Sequence, residues 1–145
     1  MRSSPRPAAA PLYTPEERAR RDASGWTLVQ GVLAPLQFLV FLVSLALVLR
    51  TLLTGEGAAL AAGSVVLKTL VLYTIMVTGA LWERDVFGQY LFAGPFFWED
   101  VVSMGVIALH TLYVGLVLVG AGGTTLQLQI ALAAYAAYLV NAAQF

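Results

Sequence analysis

Residues 101–145, VVSMGVIALHTLYVGLVLVGAGGTTLQLQIALAAYAAYLVNAAQF, contain no Asp, Glu, Lys or Arg. That run is too long for one membrane crossing, which needs about 20 apolar residues. The cluster Gly120-Ala121-Gly122-Gly123-Thr124 is turn chemistry. It divides the run into two spans, at about 99–120 and 125–145. Upstream, 26–50 is an uncharged apolar segment ended by Arg50, and 58–83 is a second one interrupted by Lys68. Pro35 inside the first is tolerated where neighbouring helices satisfy the freed carbonyl. The fold expected is an all-α integral membrane four-helix bundle.

The N-terminal part, 1–25, reads differently. Residues 1–12, MRSSPRPAAAPL, have the composition of a mobile arm. At Thr14 a helix start appears: Thr14 caps, Pro15 takes the first helical position, and Glu17 completes a capping box. The segment TPEERARRDAS is expected to be a short interfacial helix, with Gly25 as the break before a single four-span domain, 26–145. Arg2, Arg6, Arg18, Arg20 and Arg21 precede the first span, which puts both termini and the 83–100 loop on the cytoplasmic side. The chain stops at Phe145 without the charges that usually follow a last span, so a short tail is expected beyond it.

Composition excludes several function classes. Hydrophobic residues make up 59% and charged residues 11%, with mean hydropathy +0.80; soluble domains carry roughly 25% charged residues. The net charge is zero, so no basic surface points to nucleic acid. There is no cysteine and a single histidine, which removes disulfides, thiolate sites and a histidine metal cage. Phosphate-binding glycine loops, nucleophile elbows and HExxH motifs are absent.

The polar residues of the spans fall in stripes. Gln30, Ala34, Gln37, Phe41, Ser44 and Val48 share one helical face, as do Thr69, Tyr73, Met76, Ala80 and Glu83. So do Glu99, Ser103, Val106, His110, Tyr113 and Val117, and Gln127, Ala131, Ala134, Tyr138, Asn141 and Phe145. In lipid such faces turn towards other helices. Ser44, Ser103, Thr69 and Gln127 read as interhelical glue. Glu83 and Glu99 head two stripes and are candidate proton carriers, whereas Asp85 and Asp100 sit roughly a quarter-turn away. Lys68 reads as snorkelling to an interface, with pairing to an anionic substrate group as the alternative. His110 reads either as a ligand to a magnesium or haem centre or as a buried histidine bonded to Tyr73 or Gln37.

Between the second and third spans lies WERDVFGQYLFAGPFFWED, 82–100, crowded with acids and aromatic rings. One reading is an interfacial aromatic belt with solvated charges. The other is a site for a flat aromatic ligand served by proton transfer.

The runs YTPEERARRDAS at 13–24, FFWEDV at 96–101 and VNAAQF at 140–145 are distinctive, and KTLVLYTIMVTGALWE at 68–83 and VFGQYLFAGPFFWEDVVSM at 86–104 lie between them in order. With these segments the chain resembles the 3-vinyl bacteriochlorophyllide hydratase family over most of its length. The resemblance implies addition of water to the vinyl group of a magnesium chlorophyllide-type substrate, giving a 1-hydroxyethyl group. It implies no cofactor, and it implies a multi-pass protein of the bacterial cytoplasmic or intracytoplasmic photosynthetic membrane. A homo-oligomer, or association with other pigment-biosynthesis enzymes, stays open.

Alkene hydration needs an acid to protonate the terminal carbon and a base to assist water. Glu83 and Glu99 bracket the loop, with Asp100 as the alternative base. Trp82, Phe92, Phe96, Phe97 and Trp98 suit the ring, and Arg84 suits a propionate. Tyr73, His110, Asn141 and Gln37 remain for the pigment's polar groups and its magnesium. A non-catalytic pigment-binding or assembly subunit would use the same bundle; a transporter is disfavoured by the scarcity of charge near the midplane.

Overall fold

A computed structural model describes residues 12–144. The expected arm at 1–11 and the end of the last stripe at Phe145 lie outside the described residues. The elements in order are α1 (Pro15–Ala23), α2 (Gly25–Thr54), α3 (Ala58–Phe87), a 3-10 turn (Gly94–Phe96), α4 (Phe97–Val119) and α5 (Gly123–Gln144). Four helices, α2 to α5, are long and apolar enough to cross a membrane. Leu53, Leu118 and Val119 are among the exposed large side chains, as lipid-facing positions should be.

The start of α1 is closed by a complete capping box. The Glu17 N–H donates to Thr14 Oγ1 at 3.1 Å, and the Thr14 N–H donates to Glu17 Oε1 at 2.8 Å. The break before α2 falls at Ser24, not Gly25. Ser24 is extended (φ −77°, ψ 127°), ends α1 and caps α2 in the same residue, and Gly25 is already helical. The Ser24 hydroxyl also donates to Asp85 Oδ2 at 2.8 Å. Arg20 donates from Nε to the Val86 carbonyl at 2.9 Å, satisfying one of the free acceptors at the C-terminal end of α3. So α1 is tied across the end of α3.

The long helices form two antiparallel hairpins, α2 with α3 and α4 with α5. Each hairpin packs closely along its length, while contacts between the hairpins are sparser. They close fully in the half remote from α1. There Val48, Ala61, Val65, Val106, Ala131 and Ala134 are fully buried, the small alanines allowing close approach. Helix α5 is the least apolar span, with mean hydropathy 1.3, and it faces Tyr135, Tyr138 and Asn141 inward.

A polar layer crosses this interior. Ser44 Oγ lies 2.7 Å from Ser64 Oγ and 2.6 Å from the Tyr135 hydroxyl, joining α2, α3 and α5. Lys68 does not snorkel. It is completely buried, with Nζ 3.4 Å from His110 Nε2 and 3.8 Å from the centre of the Tyr138 ring. The position of Lys68 on α3, one turn from Val65 and Leu72 on the bundle's inner face, leaves its stem no route to an interface. His110 bonds neither Tyr73 nor Gln37. Its Nδ1 donates to the Val106 carbonyl at 2.8 Å, so Nε2 is the acceptor for the Lys68 amine. Tyr73 sits at the edge of its stripe, half-buried, with its hydroxyl 2.6 Å from Thr111 Oγ1.

Removing one member of a buried polar pair strands the other. Lys68→Met and His110→Leu should each lower stability by about 1–3 kcal/mol. The double variant should cost less than the sum by about 0.5–3 kcal/mol, measured by denaturant titration in mixed micelles. Additive losses would mean that the two side chains do not interact.

Candidate active site

Towards α1 the hairpins part around a cavity of about 600 Å³. Its walls come from Gln30, Ala34, Gln37 and Phe38 on α2, and from Leu72, Met76, Gly79 and Ala80 on α3. Ser103 on α4 and Tyr138, Asn141 and Ala142 on α5 complete the far side, and Leu12 and Tyr13 cover it in front. Gly79 matters for shape: a β-carbon there would lie 3.3 Å from Gln30 Oε1, so glycine lets the Gln30 side chain cross α3 and donate to Thr78 Oγ1 at 2.7 Å.

At the mouth stand two buried acids, Glu83 and Asp100, 5% and 4% exposed. Both line the cavity, so two buried carboxyl groups stand on one wall, where a pair of carboxylates out of water would repel each other. Consecutive backbone amides hold the pair. The Phe92 N–H donates to Asp100 Oδ2 at 2.9 Å, and the Ala93 N–H donates to Glu83 Oε2 at 3.4 Å. For this the chain turns left-handed at Phe92 (φ 62°), the one non-glycine residue with positive φ among those described. A bulky residue in that region carries strain of about 1–3 kcal/mol. Gly88, also left-handed, ends α3 and starts the fold-back.

The mouth is framed by aromatic rings. Trp82 meets Phe87 and Phe96 edge-on at 5.8 and 5.7 Å. Tyr13 stacks on Phe87 with centroids 5.7 Å apart and 8° between planes, and the Arg21 guanidinium lies 4.7 Å from the Tyr13 ring centre. Trp82 is fixed by its indole N–H, which donates to Thr27 Oγ1 at 2.9 Å. Deeper, Ser103 Oγ donates to Asn141 Oδ1 and Asn141 Nδ2 to the Glu99 carbonyl, each at 3.0 Å.

Of the residues singled out from sequence, Glu83, Asp100, Trp82, Phe96 and Asn141 are brought together here. Glu99 is not. It is half-buried and off the cavity wall, while Asp100, a quarter-turn off the stripe and the alternative base, is the buried acid. The face of a helix at Ser103 passes between positions 99 and 100, and the fold-back at Phe92 chooses Asp100. Arg84 is exposed, directed at the Tyr90 hydroxyl (3.1 Å) and Asp85 (3.6 Å). Phe92, Phe97 and Trp98 pack on one another on the outer surface, Trp98 69% exposed. Tyr73 lines a separate shallow groove with Thr74, Val77 and Thr78, and His110 lies in the polar layer outside the cavity lining. Tyr13 and Met76 were not singled out as site residues. Met76 stood in its stripe, but nothing in the sequence marks Tyr13 as folding back over α3. Among the described residues no group of three or more His, Asp or Glu stands as a metal site.

The family model for 2-vinyl bacteriochlorophyllide hydratase (BCHF) matches residues 13–145. A protein of Cereibacter sphaeroides named 2-vinyl bacteriochlorophyllide hydratase is 65% identical over 144 residues, covering 97% of this chain and 89% of that protein. One of the same name from Rhodobacter capsulatus is 63% identical over 146 residues, covering all of this chain and 85% of that protein. No solved structure matches the chain.

The loop's role in holding the acids is testable through position 92. Phe92→Gly should keep the 88–96 segment resistant to limited proteolysis, because glycine accepts positive φ. Phe92→Val should make it sensitive, since a β-branched residue is strained there. Equal behaviour of the two variants would show that backbone conformation at 92 does not order the loop.

Proposed function

We propose, for a chain that belongs to the 2-vinyl bacteriochlorophyllide hydratase family, that Glu83 and Asp100 are the proton-transfer pair of its reaction. The protein is a multi-pass membrane hydratase of bacteriochlorophyll biosynthesis, a hydro-lyase. The 2-vinyl and 3-vinyl names differ only in wording.

The observation that carries the assignment is the pair of buried carboxyl groups on the wall of one apolar cavity, each accepting from one of two successive backbone amides. With one proton between them, the pair holds an acid and a base at once. The acid protonates the terminal vinyl carbon, leaving a cation on the carbon attached to the macrocycle, which delocalises it. Water bonds to that carbon, and its surplus proton passes to the carboxylate, restoring the pair. The vinyl group and one water become a 1-hydroxyethyl group, with nothing oxidised or reduced. Trp82, Phe96, Phe38 and Leu72 supply apolar walls for the flat ring. Ser103 and Asn141, on the α4–α5 side, lie beside polar groups at its edge.

The bound orientation follows from the arginines of α1. They favour the cytoplasmic face for α1, for the 88–96 segment and for the end of α5. Cysteine substituted at Gln89 should then react with impermeant thiol reagents from the cytoplasmic side of the bacterial membrane. Labelling from the opposite side would reverse the topology.

Purified protein given a vinyl chlorophyllide should yield a product heavier by one water, with a blue-shifted long-wavelength band. Glu83→Gln and Asp100→Asn should each lower the rate by about 10²–10⁴-fold, the usual weight of a general acid or base, while still binding pigment. Glu99→Gln should remain within a few-fold of wild type. A folded Asp100→Asn variant with full activity would remove Asp100 from the mechanism. Pigment binding without any mass gain would instead favour a non-catalytic pigment carrier.

A further inference from the structure

Gln37 lines the cavity from α2 and is 6% exposed, yet its Oε1 has no hydrogen-bond partner among the described residues. A buried amide oxygen left empty is costly, and its presence in a ligand cavity asks for a ligand group. The amide lies beside the Tyr138 hydroxyl.

Other polar groups of the wall have partners: Gln30 Nε2 donates to Thr78, and Asn141 Oδ1 lies 3.0 Å from the Ser103 hydroxyl, whose one proton also faces the Glu99 carbonyl at 2.8 Å. Asn141 Nδ2 donates to the Glu99 carbonyl and to Gln144 Oε1. His110 is outside the cavity lining, with one ring nitrogen on Val106 and the other on Lys68. The second orphaned atom, the Tyr113 hydroxyl, belongs to a fully buried residue that does not line the cavity.

Given the hydratase reading, on which this step rests, the substrate brings a magnesium at the centre of its ring. Magnesium is a hard cation that takes oxygen ligands, and the macrocycle leaves its axial positions open. We propose that the Gln37 amide oxygen is the axial ligand of the substrate's magnesium.

The spacing suits this. Asp100 and Ser103 are three residues apart on α4, Ser103 bonds Asn141, and Asn141 and Tyr138 are three residues apart on α5. Each step is about 4.5 Å along a helix, so Gln37, beside Tyr138, lies about 9 Å deeper than the acids. That is comparable with the distance from the centre of a tetrapyrrole to its peripheral substituents. Holding the metal at Gln37 therefore fixes the ring centre and carries its vinyl edge towards Glu83 and Asp100.

The test compares a magnesium vinyl chlorophyllide with the same pigment stripped of its metal. Wild-type protein should bind the magnesium form at least about tenfold more tightly, equivalent to about 1.4 kcal/mol. Gln37→Leu should bring that ratio close to one while leaving affinity for the metal-free pigment unchanged. Gln37→His should restore the preference. The absorption bands that report magnesium coordination should shift between wild type and Gln37→Leu. Equal binding of the two pigments by wild type would overturn the proposal without any variant. So would a Gln37→Leu protein that keeps the preference. Mass analysis of the same samples separates the two readings. Water addition without magnesium preference removes the ligand and keeps the hydratase; preference without water addition does the reverse.

Discussion

Two helical hairpins can close on each other along only part of their length, and the structure is organised by where they stop. Alanines at 61, 131 and 134 let the far halves meet with no exposed surface at all. Nearer α1 the walls set the rings of Phe38, Trp82 and Phe96 among the small residues Ala34, Gly79, Ala80 and Ala142, and a cavity opens between the hairpins. Lipid provides no hydrophobic drive between helices, so shape and polar pairing must set the boundary. The layer of Lys68, His110, Ser44, Ser64 and Tyr135 does this. It lies directly under Tyr138, which belongs both to that layer's cation contact and to the cavity wall. An amine buried against one aromatic face and one imidazole nitrogen has few alternative partners, which favours a single hairpin arrangement.

Sequence patterns carried the fold far and the site only part of the way. The uncharged run 101–145, the glycine cluster and the capping box at Thr14 are local signals, and the helices they imply are those observed. The stripes through Gln37, Ser103, His110 and Tyr138 face inward for the reason lipid imposes. Periodicity resolves a face only to within about half a side chain, however. It could not separate Glu99 from Asp100, nor see that Tyr73 lies at a stripe's edge. Lys68 departs from snorkelling because its place on the inner face of α3 sets its amine against His110 and the Tyr138 ring. The aromatic residues divided by tertiary context: Trp82 and Phe96 turn to the cavity, Phe92, Phe97 and Trp98 away from it. Tyr13 joins the site through the fold-back of α1 over α3, a long-range contact with no periodic signature.

The outward-facing rings are informative about depth. Trp98, Phe97, Phe92 and Tyr90 are exposed and sit beside the 88–96 segment, at the same end of the bundle as the acid pair. Tryptophan and tyrosine collect where membrane meets water. The belt reading and the site reading of 82–100 are therefore compatible. The same segment supplies exposed aromatic rings on one side and the amide donors to Glu83 and Asp100 on the other.

That placement answers a difficulty peculiar to this reaction. Its two reactants have opposite solubilities: one is water, the other a large apolar ring. A site deep in the bundle would hold the ring but starve the cation of water. A site in the aqueous phase would flood the cation and expose the ring. Glu83 and Asp100 stand at the level of the interfacial belt, with the cavity below them and the 88–96 segment folded above. The ring can lie in the apolar half, fixed from beneath, while its vinyl edge reaches the boundary where water is available in small number. On this arrangement the left-handed turn at Phe92 is a functional expense. It orders the 88–96 segment beside the acids and aims two amides at them, which under the proposed mechanism holds the carboxyl pair in place to pass a proton.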